Sequence, residues 1–183
     1  ICHSITDFAA NYPQTKYCET IEEVKLATAD CDAFIVGSDQ MWNPLWCSGA
    51  SLPLVMLDFA AEDKTRVSYA ASFGTKEWRE DQNAAEASRM LKKFKAISVR
   101  EESGVKLVET LSGRTAAKCL LDPTLLQNAA FYSEIITKSG IRRDKVNKPY
   151  VFNYILDEWS NVSEMQTALG AVKDKLNISN VLT

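Results

Sequence analysis

The sequence predicts an α/β protein built around a mostly parallel sheet. Two observations predict it: short apolar, β-type runs alternate with segments of helical period, and dense polar turns follow the apolar runs directly. Its 183 residues, 46% apolar and 25% charged, are those of an ordinary globular chain.

Thr20 and Glu23 have the spacing of a capping box, so a helix is predicted over residues 20–29. Ala33 to Val36 reads as a buried strand, and Leu54 to Phe59 and Val67 to Ala71 read as two more, parted by a charged turn at Glu62 to Arg66. Over residues 80–94, Ala84, Ala87, Leu91 and Phe94 share one helical face, and Ala96 to Val99 is strand-like. A helix over 100–112 turns Val105, Val108 and Leu111 inward and ends at Gly113; a strand follows at Lys118 to Leu121. Strand and helix in series require right-handed crossovers, which makes the architecture Rossmann-like.

The polar, basic, proline-terminated stretch 138–149 reads as a linker, making residues 1–137 a first domain. In 150–183 a strand at Tyr150 to Leu156, a helix over 161–176 with Val162, Met165, Leu169, Val172 and Leu176 on one face, and a strand at Ile178 to Leu182 form one βαβ unit. A lone βαβ does not complete a doubly wound sheet, so this second Rossmann-like domain is expected to be truncated.

A net charge of −3, with its densest basic residues in the predicted linker, excludes a nucleic-acid footprint. No window offers the roughly 18 unbroken apolar residues of a membrane span, and no charged-then-apolar leader opens the chain. Five cysteines, odd in number and without a Cys-x-x-Cys pair, predict free thiols in a reducing, cytoplasmic compartment. A single histidine, His3, and no Cys/His cluster of ligand spacing predict no metal site.

Four polar motifs directly follow predicted strands: Gly37-Ser38-Asp39-Gln40, Ser72-Phe73-Gly74, Arg100-Glu101 and Asp122-Pro123-Thr124. In a parallel sheet these positions share the carboxyl rim, where ligands bind. Ser38, Asp39, Gln40 and Asn43 suit sugar hydroxyls or neighbouring backbone amides; Trp42 suits stacking on a sugar or a place in the core. Arg100, over the first turn of a helix, suits a carboxylate or phosphate, or a plain ion pair with Glu101 or Glu102. Ser98 and Glu101 have capping-box spacing for that helix. Ser72 and Gly74 form a small-residue turn that admits a ligand or another backbone, and Asp122 reads as bonding the backbone beyond it.

The strings "DAFIVGSDQMWNP", "LDFA", "VSYAASFG", "ISVREESGVKLVETLSGR" and "LLDPTLL", in this order, resemble the polysaccharide pyruvyl transferase family over Asp32 to Leu126, with weaker likeness over Tyr150 to Leu156. The resemblance implies one half of a GT-B-like enzyme, with two Rossmann-like domains and a cleft between them. It implies transfer of the enolpyruvyl group of phosphoenolpyruvate to a sugar of a cell-surface polysaccharide, as a pyruvate ketal, in exopolysaccharide biosynthesis. Phosphoenolpyruvate would be the donor substrate, a saccharide the acceptor, and no further cofactor is implied.

Arg100, in "SVRE", takes over the family's anion-binding role, and Ser38, Asp39, Gln40, Trp42, Asn43, Ser72 and Gly74 are the other expected substrate-binding residues. The family's general acid is a histidine, accompanied by further arginine, in the second domain. It is expected beyond Thr183, so no catalytic residue is assigned here, and the chain alone is expected to be an inactive fragment. The family's opening strand and first loop are also missing from the match. Two other readings stand beside this one: a GT-B-like glycosyltransferase using a nucleotide sugar, and a non-catalytic carbohydrate-binding module.

Overall fold

A computed structural model of the chain describes residues 12–47, 49, 51–78, 84–138, 149–152 and 162–182. The chain divides into two compact units, Ile1–Tyr132 and Ser133–Thr183. In the first, helix α1 (Ile21–Ala27) opens with the predicted capping box: the Thr20 side chain accepts from the Glu23 amide while the Glu23 carboxylate takes the Thr20 amide. Strand β1 (Ala33–Val36), helix α2 (Ser51–Val55), strand β2 (Thr65–Ala71), helix α3 (Ala84–Lys92), strand β3 (Ala96–Val99), helix α4 (Glu102–Ser112) and strand β4 (Lys118–Cys119) follow. The four strands pair in parallel in the order β1-β2-β3-β4, so the α/β, Rossmann-like reading holds.

Several sequence expectations are corrected: β4 stops at Cys119 and not at Leu121, and of β1, expected to be buried, only Val36 is, with Ile35 72% exposed. The strand expected at Leu54 to Phe59 is instead the short helix α2 and the turns after it. Pro53 lies in the first turn, where its missing N–H costs nothing, and Leu52 and Met56, four residues apart, both point into the core. The charged turn expected at Glu62 to Arg66 ends earlier, because Thr65 and Arg66 already belong to β2. Arg66 is fully buried, and its guanidinium donates only to backbone carbonyls, those of Leu57, Ala60, Ala61 and Lys64. Those carbonyls belong to the turns between α2 and β2, where Leu57 and Ala61 also accept the Ala60 and Lys64 amides, so the arginine adds to the turn bonds and closes the connection.

The core joins Val36, Trp42, Met56, Phe73, Leu91, Phe94, Val99 and Val108 with their neighbours. Trp42 packs against Phe73 at 5.4 Å and edge-on to Phe94 at 5.5 Å between ring centroids. On the predicted face of α3, Ala87 and Leu91 are buried, as is Phe94 just beyond it, whereas Ala84 is exposed. Helix α4 ends as expected at Gly113, whose φ of +73° is left-handed, with its amide bonded to the Glu109 carbonyl. Outside the sheet, a clamp of charges ties the α2–β2 turn to α3: Arg89 forks onto Asp58 at 2.8 and 2.9 Å, and Lys93 reaches Asp58 at 3.1 Å and Glu62.

Between β2 and β3 the register shifts, Ser68 facing Ile97 but Ala71 facing Val99, so β2 carries one extra residue. Two serines fill the gap. Ser68 Oγ donates to the Ser98 carbonyl (2.9 Å) and accepts the Ser98 amide (3.0 Å), while Ser98 Oγ donates to the Ser68 carbonyl (2.9 Å) and accepts the Ala70 amide (3.0 Å). With Ser98 Oγ committed to β2, the expected capping box of Ser98 and Glu101 does not form: Glu101 is the N-cap of α4, without a side-chain cap bond.

A 3₁₀ turn (Pro123–Leu126) and helix α5 (Ala129–Lys138) follow β4. Apart from Lys138 and Pro149, the expected linker 138–149 lies outside the described residues. The second unit contains strand β5 (Tyr150–Phe152), helix α6 (Val162–Leu176) and strand β6 (Asn180–Leu182), with the two strands parallel in the register Tyr150 to Asn180. The order is that of the expected βαβ; residues 153–156 of its expected first strand and 161 of its expected helix lie outside the described residues. On the face expected to turn inward, Met165 and Leu169 are half-buried but Val172 and Leu176 are exposed.

Candidate active site

The four polar motifs come together at the carboxyl ends of β1 to β4, because neighbouring loops stay bonded beyond the strands. The Ser72 amide donates to the Asp39 carbonyl at 2.8 Å, and the Trp42 amide to the Ser72 carbonyl at 3.1 Å. The Arg100 amide donates to the Ala71 carbonyl at 3.0 Å, and the Leu120 amide to the Val99 carbonyl at 2.9 Å. Each loop thus inherits its position from the sheet.

Gly37 makes the first turn possible. Its φ is +125°, and a Cβ there would lie 2.1 Å from the Tyr69 carbonyl oxygen of the adjacent strand. Beyond it, Asp39 is left-handed (φ +41°), a conformation that its short polar side chain tolerates, and its carboxylate accepts the Gln40 amide at 2.8 Å.

Arg100 is the centre of charge. Its guanidinium reaches Glu101 from Nε at 3.4 Å, Asp122 from Nη1 at 3.4 Å and Asp39 from Nη2 at 3.8 Å. These three carboxylates belong to three different loops, so the arginine gathers the exits of β1, β3 and β4, and the group carries a formal excess of two negative charges. The ion pair with Glu101 is present, as one reading of the sequence has it, but it is one of three.

Two of the carboxylates are held from behind. Glu101 accepts the Ser72 hydroxyl, and Ser72 Oγ in turn accepts the Gly74 amide at 3.0 Å. Asp122 takes the Thr124 amide (3.0 Å) and hydroxyl (2.8 Å), the turn expected from Asp-Pro-Thr. Bonds from the Thr124 amide, the Ser38 hydroxyl, the Thr124 hydroxyl and Arg100 hold its pKa down, at about 2.

The remaining expected residues form wall. Trp42 does not stack on a ligand: it is fully buried, its Nε1 donates to the Val55 carbonyl at 3.1 Å, and of the two readings the core place is the observed one. Asn43 is buried too, donating to Gln40 Oε1 at 2.6 Å and accepting the Leu45 amide at 2.9 Å. Gly74 (φ +65°) lies against this pair, since a Cβ on it would meet Asn43 Nδ2 and Gln40 Oε1 at 2.6 Å each. Gln40, Asn43 and Gly74 therefore lock the first loop to the second. Ser38 and Asp39 stay at the rim with Arg100, and Ser72 supports it from within.

Glu101 and Asp122 are not among the binding residues expected from the sequence, although Glu101 lies two residues past β3 and Asp122 three past β4. Cys119, whose thiol donates to the Arg100 carbonyl at 3.4 Å, has its pKa raised by burial and the nearby Glu102 and Glu101, which disfavours the thiolate. His3 lies outside the described residues. Among the described residues, no group of three or more His, Cys, Asp or Glu side chains is arranged to hold a metal ion, and no helix is long and apolar enough to cross a membrane.

No curated protein and no solved structure matches the chain. The family described as polysaccharide pyruvyl transferase matches residues 3–165, which takes in all four rim loops, β5 and the start of α6. With that match across most of its length, the chain belongs to the polysaccharide pyruvyl transferase family.

Proposed function

We propose that this chain is the donor-side part of a cytoplasmic enzyme that transfers the enolpyruvyl group of phosphoenolpyruvate to a sugar of a cell-surface polysaccharide, as a pyruvate ketal. The observation that carries this reading is the position of Arg100, a guanidinium at a strand end over the first turn of α4, ringed by the loops of the sheet rim.

The reaction needs an acid to protonate the methylene carbon, leaving an oxocarbenium-like centre at the carbon that bears the phosphate oxygen. One sugar hydroxyl adds to that carbon, a second displaces phosphate, and two new C–O bonds close the ketal as both hydroxyl protons leave. In this scheme Arg100 holds the carboxylate or phosphate of the donor, and Ser38 and Asp39 face the same cleft. Gln40, Trp42, Asn43, Ser72 and Gly74 keep those loops in place.

The test is phosphate release by the full-length protein from phosphoenolpyruvate in the presence of its acceptor. Arg100→Ala should cut the rate by about a hundredfold or more. An unchanged rate would remove Arg100 from the donor site, and thermal protection by nucleotide sugars but not by phosphoenolpyruvate would favour a glycosyltransferase instead.

A further inference from the structure

The three carboxylates around Arg100 are not equivalent. Glu101 and Asp122 are 37% and 18% exposed and are anchored by Ser72, by Thr124 and by Ser38. Asp39 is 84% exposed, stands farthest from the guanidinium at 3.8 Å, and its other bond is to the adjacent amide of Gln40. The Nη2 side of Arg100 is therefore covered by the one carboxylate that can leave at little cost. Helix α4 presents its N-terminus at the same place, its N-cap Glu101 being turned to Ser72 and Arg100 instead of capping the helix.

We propose that Asp39 is an internal counter-anion that occupies the oxyanion position of Arg100 and must be displaced when a carboxylate- or phosphate-bearing ligand binds. The proposal rests on the reading of Arg100 as the donor-binding arginine. Two consequences follow from charge alone. A ligand entering this group meets an excess of two negative charges, and exchange with Asp39 at Nη2 keeps the arginine paired in both states. Asp39 thus sets the threshold for entry: a weakly charged oxyanion does not outcompete it, whereas a doubly charged one does. The carboxylate that leaves is then free on the rim.

The experiment is calorimetric titration of the full-length protein and its Asp39→Asn and Asp39→Ser variants, with inorganic phosphate, pyruvate and phosphoenolpyruvate as separate probes. Loss of the competing charge should tighten binding of the favoured oxyanion about five- to tenfold in both variants. Phosphate tightening without pyruvate would assign the position to the donor's phosphate, and the reverse to its carboxylate; either supports the proposal. In an Arg100→Gln background the Asp39 substitutions should change affinity by less than about twofold. Unchanged or weaker binding in folded Asp39 variants would overturn the proposal. A higher KM for the saccharide alone would overturn it too, by placing Asp39 on the acceptor. The two failures are distinguishable: a protein that never releases phosphate from phosphoenolpyruvate yet binds inorganic phosphate more tightly as Asp39→Asn contradicts the pyruvyl transfer reading only.

Discussion

Gly37 passes the Tyr69 carbonyl so closely that a Cβ on it would lie 2.1 Å from the oxygen. The contact is between two backbones, so no side-chain rotamer can relieve it. Gly37→Ala must push β1 away from β2 or reshape the first loop, at a cost of about 3 kcal/mol, the upper end for overpacking. Urea denaturation should show the loss as a lower midpoint.

Ser98 repairs the place where β2 carries its extra residue. Ser98→Ala leaves the Ala70 amide and the Ser68 carbonyl without the side-chain bonds that serve them, for a predicted loss of about 1–2 kcal/mol. Hydrogen exchange should detect it locally, with the Ala70 amide exchanging faster than its neighbours in β2.

Arg66→Met tests the buried arginine. The substitution keeps the length of the side chain but withdraws the donors from the carbonyls of Leu57, Ala60, Ala61 and Lys64. The expected loss is about 3 kcal/mol in chemical denaturation, and Arg66→Lys, with fewer donors and another geometry, should recover only part of it.

Asp58, clamped by Arg89 and Lys93, has its pKa lowered from 3.8 to about 2, with the Arg89 bond as the largest cause. A depressed carboxylate pKa contributes stability that is complete above the ordinary value and is lost as pH falls through the folded one. Asp58→Asn should therefore cost on the order of 1–2 kcal/mol at neutral pH. The gap between parent and variant should close as pH falls from 3.8 towards about 2, which thermal melts across that range would measure.

Where the residues that decide an element are neighbours in sequence, the element is legible. The reciprocal bonds of Thr20 and Glu23, the left-handed stop at Gly113 and the apolar runs of β1, β2 and β3 depend on residues a few positions apart. Polar residues set directly after apolar runs also announce the rim, since a parallel sheet brings its strand ends to one side. Leu54 to Phe59 reads as a strand because a short apolar run suits either a strand or a buried helix, and contact of Leu52 and Met56 with the core decides between them.

The sequence by itself determined the α/β class, the parallel order of alternation and the four loops in which polar side chains collect, because hydrophobic period and turn chemistry are local. Only the tertiary structure decided what those side chains do. Trp42, in the most site-like string of the chain, is core because Phe73, Phe94 and the Val55 carbonyl surround it. Arg66, which looks like a surface charge, is buried with its donors on four turn carbonyls. Arg100 has three carboxylate partners because Asp39 and Asp122 reach it from loops that follow strands distant in sequence, and pairing across a sheet depends on register, which no short window of residues contains.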